Sequence, residues 1–146
     1  TSELDWAGKS HMEVREIGAL DGSVLVVPVG SIEQHGHHLP VATDTILVDA
    51  MAHAGSEHVA DEVPLLITPP VWCGFSPHHL SLGGRLSLEF AHLRAVLEDV
   101  ASTGLENGFD AVLFLNEHGG NVALINAVVR TLGKELDAEV LGTTYF

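Results

Sequence analysis

The sequence has a single cysteine, few basic residues and no long apolar run. Cys73 is the only cysteine among the 146 residues, so no disulfide can form within the chain, and a reducing, intracellular compartment is the simplest inference. No stretch approaches the ~20 apolar residues that a membrane-spanning helix needs. The first ten residues contain no apolar run of the kind found in export signals. We therefore expect a cytoplasmic protein without a membrane partner.

Basic residues are scarce, and their scarcity limits the partners that the protein can have. Six Lys and Arg residues stand against 20 Asp and Glu residues, which gives a net charge of −14. No Lys/Arg cluster could follow a phosphate backbone, so we expect no nucleic-acid partner. The acidity has two interpretations, a solvated surface or adaptation to high salt. Lysine occurs only at Lys9 and Lys134, which favours a halophilic protein.

The remaining composition is that of a folded domain, with 46% hydrophobic residues and a mean hydropathy of +0.26. Apolar patterns predict strands at 24–29, 63–68, 111–115 and 139–144, and helices at 43–59, 87–106 and 120–136. We place helix caps at Thr43 or Asp44 and a helix stop at Asn107-Gly108. Alternating strands and helices of these lengths predict an α/β fold, a three-layer α/β/α sandwich around a mainly parallel sheet. Residues 1–22 are then an N-terminal lead-in, and residues 23–146 form an α/β metal-binding domain.

Side chains suited to metal binding follow two of the predicted strands. After the first strand, Glu33 and His35 project from the same side of an extended chain because its period is two. Asp44 comes at the start of a helix, where the dipole favours a carboxylate. His118 follows the third strand. Ligands of parallel sheets bind at the carboxyl ends of the strands, so these four side chains predict a site for Zn²⁺, Mn²⁺ or Fe²⁺.

Other residues of these loops have both a functional and a structural interpretation. A single His or Glu after a strand is more often a capping or surface residue than a ligand. His37 and His38 either lie at the surface or serve the site, one of them by contacting substrate or orienting a ligand. In the loop of residues 71–85, we expect Trp72, Ser76 and His79 to line a substrate pocket, although Trp72 could equally belong to the core.

Taken together, these segments resemble the signature of the creatininase (creatinine amidohydrolase) family. The matching motifs are Val-Gly-Ser-Ile-Glu-Gln-His-Gly at 29–36, His-Leu-Pro at 38–40, Thr-Asp at 43–44, Gly-x-Ser-x-x-His at 74–79, and Asn-x-His-Gly-Gly-Asn at 116–121. The resemblance runs from about Val14 to the end of the chain. It implies a creatininase-like fold and a hydrolase with two divalent metal ions. The implied ligands are Glu33, His35, Asp44 and His118, with Asp44 bridging the two ions.

Three departures from the family pattern bear on the site. His37 stands where the family usually has Pro, and Gly-Gly-Arg at 83–85 replaces a Pro-Gly-Thr segment. Glu117 replaces a usual Gly beside His118, so Glu117 and His37 are the candidates for a catalytic role. Neighbouring side chains of an extended segment point to opposite faces, which argues against Glu117 joining His118 at the metals.

The resemblance implies an enzyme that hydrolyses a C–N bond of a small cyclic amide or formamide with a metal-activated water. The alternative is a metal-binding chain without catalysis, acting as half of a split enzyme or as an assembly partner. Family members continue beyond the position of Phe146 with another metal-ligating Glu and catalytic side chains, so we expect this chain alone to be a poor hydrolase. Bare strand edges and apolar faces of an unfinished sheet would also favour a homo-oligomer.

Overall fold

Residues 24–29 are apolar and mostly β-branched, and they form the buried strand around which the sheet is built. The computed structural model describes residues 2–77 and 80–145. Strand β1 (Val24–Val29) lies between β2 (Leu65–Ile67) and β3 (Ala111–Asn116), and β4 (Glu139–Thr144) pairs with the other side of β3. The pairings β1–β2, β1–β3 and β3–β4 are all parallel. The predicted parallel sheet is therefore confirmed.

Helices cover both faces of this sheet. They are α1 (His11–Gly18), α2 (Thr43–Val59), α3 (Phe90–Leu105) and α4 (Val122–Leu136), with short 3-10 turns at Trp6–Gly8, Leu80–Leu82 and Gly119–Asn121. Alternate residues of β1 enter different cores: Val27 and Val29 pack in the core formed with α1, α3 and α4, whereas Val26 packs in a second core with Ala52 of α2. The α/β/α layering is confirmed. None of the described helices is long and apolar enough to cross a membrane.

Several predicted boundaries were wrong by a few residues, and one predicted helix cap was wrong as well. Helix α2 begins as predicted, but its N-cap is Ala42 without a side-chain bond, because the Thr43 hydroxyl donates to the carbonyl oxygen of Pro40 and Asp44 faces the site. Helix α3 begins at Phe90 because Glu89 is extended. The second strand is shorter than predicted. The stop near Gly108 is confirmed, and Gly108 has a φ of +105° that favours glycine.

The predicted lead-in of residues 1–22 contains a helix that the periodicity did not indicate. A capping box starts α1: the Ser10 hydroxyl accepts from the amide of Glu13, and the Glu13 carboxylate accepts from the amide of Ser10. Val14 of this helix is buried in the core. Further towards the amino end, the amide of Ile67 donates to the carbonyl oxygen of Leu4, so this segment pairs with the edge of β2.

An ion pair connects this amino-terminal segment to α2. His53 Nε2 lies 2.6 Å from Asp5 Oδ1, and His53 Nδ1 donates to the carbonyl oxygen of Asp49. The hydrogen bond to Asp5 raises the pKa of His53, and the same bond lowers the pKa of Asp5. The stabilisation from His53 is complete below its unfolded pKa of about 6.5 and is lost as pH rises through the folded pKa. The stabilisation from Asp5 is lost as pH falls below about 4, through the lowered pKa of that carboxyl.

We therefore expect a His53→Gln variant to lose up to about 1 kcal/mol of unfolding free energy near pH 5.5, because the pair is only partly shielded from solvent. The deficit should shrink as pH rises through the raised pKa of His53, because the wild-type imidazole then loses its charge. Urea denaturation across this pH range measures it, with His92→Gln, an exposed histidine of α3, as the control. A deficit that stays constant with pH would show that the charge of His53 is irrelevant.

The sheet face that α2 covers is only partly filled. Leu113 and Leu115 line a cavity of about 390 Å³ with Met51 and Gly55 of α2, and its walls are mostly apolar. Leu141 on the edge strand β4 is 48% exposed. The association into a homo-oligomer that the sequence suggests stays a prediction.

Candidate metal centre

Glu33 and His35 lie on the loop that leaves the carboxyl end of β1. His35 Nδ1 donates to the carbonyl oxygen of Glu33 at 3.1 Å, which leaves the other ring nitrogen to accept from or bind a partner. That nitrogen, Nε2, lies 2.8 Å from Asp44 Oδ1. Gly36 then turns the chain with a φ of +73°, a conformation that glycine adopts without strain. The local backbone thus orients the imidazole of His35 towards the first turn of α2.

Asp44 is the centre of the cluster and is only 6% exposed. It lies in the first turn of α2, where the unpaired amides of the helix favour a negative charge. Its two oxygens face different imidazoles, since Oδ1 is next to His35 and Oδ2 lies 3.0 Å from His118 Nδ1. This is the arrangement that a carboxylate shared by two ligand sets would need.

His118 follows β3 and is 4% exposed. Its Nε2 donates to the carbonyl oxygen of Phe75 at 3.0 Å, so Nδ1 faces Asp44 and, at 3.3 Å, Glu33 Oε1. Burial alone would lower the pKa of His118, but the hydrogen bond to Asp44 and the negative charges of Glu33 and Asp44 outweigh it and raise the pKa. A Cβ atom at Gly120 would collide with the His118 ring and with Phe75, so glycine is needed there for this contact.

Ser76 holds the carboxylate of Glu33 in place. The Ser76 hydroxyl donates to Glu33 Oε2 at 2.6 Å, and Ser76 is fully buried. The backbone of Ser76 is also hydrogen-bonded: its amide donates to the Ser87 hydroxyl, and its carbonyl oxygen accepts from the Arg85 side chain. Ser76 was predicted to bind substrate, whereas the contact that the structure shows is with a predicted metal ligand.

Two buried asparagines join the three loops of the site. Asn121 Nδ2 donates to the carbonyl oxygen of Gly30 at 3.0 Å, and its Oδ1 accepts from the amide of Phe75 at 2.9 Å. Asn116 Oδ1 accepts from the amide of His118 and from Asn121. Both residues belong to the Asn-x-His-Gly-Gly-Asn segment, but their positioning role was missed because their partners are distant in sequence.

The remaining candidate residues, which were predicted for catalysis or substrate binding, differ in how exposed they are. His37 and His38 are exposed, and so is Trp72, at 51%. Glu117 is half-buried beside His118, and burial together with the charge of Asp44 raises its pKa. His79 lies outside the described residues. The structure therefore brings together the four predicted ligands, and it leaves His37, His38 and Trp72 at the surface.

These donors fit a divalent cation. One ligand atom from each of Glu33, His35 and Asp44 lies within 4.8 Å of the others. Within the described chain, Glu33 and Asp44 form ion pairs with histidines alone and with no Lys or Arg. Imidazole nitrogens and carboxylate oxygens are the donors that Zn²⁺ and related ions prefer. Backbone carbonyls fix the second nitrogen of both histidines, as is usual for metal-ligating imidazoles.

Comparison with known proteins identifies relatives over most of the chain. A sequence profile described as creatininase, creatinine amidohydrolase, matches residues 10–145. Mycofactocin precursor peptide peptidase of Mycobacterium ulcerans is 34% identical over 116 residues, which are 76% of this chain and 46% of that protein. Creatinine amidohydrolase of Pseudomonas putida is 30% identical over 128 residues, covering 84% of this chain and 46% of that protein. The chain thus spans about half the length of these relatives.

Solved structures show the same fold. A crystal structure of creatinine amidohydrolase superposes with a TM-score of 0.89 at 23% identity, covering 99% of this chain and 59% of the other. A structure described as "Creatininase Mn" and a mutant creatininase described as "Zn-Zn type" superpose with TM-scores of 0.89 and 0.88.

A parallel α/β/α fold with imidazoles and carboxylates clustered at the carboxyl ends of β1 and β3 defines an α/β protein able to bind a divalent metal. The profile match covers most of the chain. The chain belongs to the creatininase family.

Proposed function

We propose that this chain holds the metal centre of an amidohydrolase that uses two divalent ions, Zn²⁺, Mn²⁺ or Fe²⁺, to hydrolyse the C–N bond of a small cyclic amide or formamide. The observation that supports this most directly is the buried Asp44, whose two oxygens face His35 and His118. Among the relatives, one is named an amidohydrolase and another a peptidase, and both names describe cleavage of an amide bond.

Each residue of the cluster would have its own role in holding the ions. His35 and His118 each keep one nitrogen directed into the cluster, because backbone carbonyls hold the other. Asp44 and Glu33 supply negative charge, and Ser76 fixes the position of Glu33. A bound divalent ion supplies Lewis-acid chemistry, which polarises a carbonyl oxygen and makes water a nucleophile near neutral pH.

Residues at the rim of the metal site would contact the substrate and its leaving nitrogen. Trp72 offers an exposed apolar surface next to α2, since its carbonyl oxygen accepts from Thr45. Together with Ser76, His38 and His79 are the other proposed substrate contacts. His37 and Glu117 are the candidates for delivering a proton to the leaving nitrogen, a contribution that is typically worth ~10²–10⁴ in rate.

The test is an amide screen with the metal-free chain reloaded separately with Zn²⁺, Mn²⁺ and Fe²⁺. We expect slow but metal-dependent hydrolysis of a cyclic amide or a formamide, above that of a short peptide, and its loss in His118→Ala. His92→Ala, an exposed histidine of α3, is the matched control. Metal binding without hydrolysis of any amide would instead favour the alternative, a non-catalytic metal-binding chain that acts as half of a split enzyme or as an assembly partner. A chain that binds no divalent metal would refute both.

A further inference from the structure

A short segment, residues 85–88, connects two loops of the metal centre. The amide of Leu86 donates to the carbonyl oxygen of Ile32, in the loop that follows β1, and these two residues form an antiparallel bridge. The amide of Leu88 donates to the carbonyl oxygen of Gly74, in the second loop. Alternate amides of the segment therefore bind different loops and hold them side by side.

The side chains of the same segment hold Ser76. Residues two apart project to the same side of an extended chain, as Arg85 and Ser87 do here. Arg85 Nη1 donates to the carbonyl oxygen of Ser76 at 2.9 Å, and the Ser87 hydroxyl accepts from the Ser76 amide at 2.9 Å. Ser76 is fully buried, and its own hydroxyl donates to Glu33 Oε2 at 2.6 Å. Both backbone groups of Ser76 are thus fixed while its side chain binds Glu33.

Arg85 differs from other basic residues of the chain in the partner that it binds. Lys9 and Arg94 pair with carboxylates. Within the described chain Arg85 forms no ion pair, and its hydrogen bond goes to the carbonyl oxygen of Ser76. Hydrogen bonds from a charged donor are stronger than those between neutral groups. We propose that Arg85, together with Ser87, positions the carboxylate of Glu33 for a divalent ion through Ser76, an inference that rests on the proposed function.

A fixed carboxylate binds an ion more tightly than a mobile one, because ordering a Glu side chain costs conformational entropy. The hydroxyl of Ser76 holds Glu33 Oε2, and the other oxygen, Oε1, lies 3.3 Å from His118 Nδ1. The Glu33 side chain is therefore ordered before an ion arrives. Loss of a residue that orients a metal ligand typically weakens metal binding ~10–100-fold.

The test is calorimetric titration of the metal-free chain with Mn²⁺, with Arg85→Met as the variant. Methionine is also unbranched but has no donor, so the carbonyl oxygen of Ser76 loses its partner. We expect the Mn²⁺ affinity of the site that contains Glu33 to fall ~10-fold. Arg85→Lys, which keeps a charged donor, should recover most of this loss. Arg130→Met removes the same charge from an exposed position of α4 and should bind Mn²⁺ as the wild type does.

A double-mutant cycle separates positioning through Ser76 from a general structural role. Ser76→Ala removes the hydroxyl that binds Glu33 and should itself weaken Mn²⁺ binding. Adding Arg85→Met to Ser76→Ala should then cause no further loss, because the connection to Glu33 is already broken. If circular dichroism shows that Arg85→Met does not fold, Ser87→Ala takes its place in the cycle with the same expected result, since it releases the Ser76 amide by removing one hydroxyl.

Three outcomes would overturn this role and leave the proposed function intact. They are wild-type Mn²⁺ affinity in Arg85→Met, an equal loss of affinity with and without the Ser76 hydroxyl, and a loss that Arg85→Lys does not recover. A wild-type chain that binds no Mn²⁺, Zn²⁺ or Fe²⁺ would overturn both the role of Arg85 and the proposed function.

Discussion

An Asp44→Asn variant is expected to lose both bound metal ions while it keeps its secondary structure. The two oxygens of Asp44 face His35 and His118, so one side chain serves both halves of the cluster. Asparagine keeps the shape but has no charge and only one oxygen, so it cannot bridge two cations. Metal analysis per chain measures the loss, and circular dichroism checks the fold.

Variants that each lack one predicted histidine ligand test the bridging role of Asp44 further. His35→Ala and His118→Ala should each lose one ion, because each imidazole faces a different oxygen of Asp44. Asp99→Asn is the matched control, because Asp99 is exposed on α3 and its substitution removes an equal charge. Full metal occupancy in Asp44→Asn would refute the bridging role. Loss of a single ion would place Asp44 in one ligand set only.

The largest effect on stability is expected for Asn121→Ala. The Asn121 side chain is completely buried and binds the carbonyl oxygen of Gly30, the amide of Phe75 and the side chain of Asn116. Its removal leaves several buried polar groups without partners, each at a cost of ~1–3 kcal/mol. We expect a loss of about 3 kcal/mol in the free energy of unfolding.

Urea denaturation of the metal-free chain measures this loss without any contribution from bound ions. Asn126→Ala is the control, because Asn126 is exposed on α4, and its effect should stay within about 0.5 kcal/mol. The metal affinity of Asn121→Ala should fall as well, since Gly30 and Phe75 belong to loops that hold Glu33 and His118. A variant as stable as the control would show that the three loops are held by other contacts.

The elements of the fold follow largely from local sequence. Residues 24–29 could be predicted as a buried strand because β-branched apolar side chains favour a sheet with both faces covered. Helix α2 and strand β4 have the predicted bounds. Helix α1 was missed because it is only eight residues long and has few apolar side chains. Its capping box, formed by Ser10 and Glu13, has a spacing that is visible in the sequence.

The four ligands could also be predicted from the sequence, because they lie in spaced motifs that follow predicted parallel strands. Only the tertiary structure decided which atoms meet. The orientation of His118 depends on the carbonyl oxygen of Phe75, 43 residues away, and Ser76 reaches Glu33 over the same separation. Asp44 meets His118, 74 residues away, because the start of α2 lies at the carboxyl end of β3. Such contacts arise from packing between elements, and no local pattern encodes them.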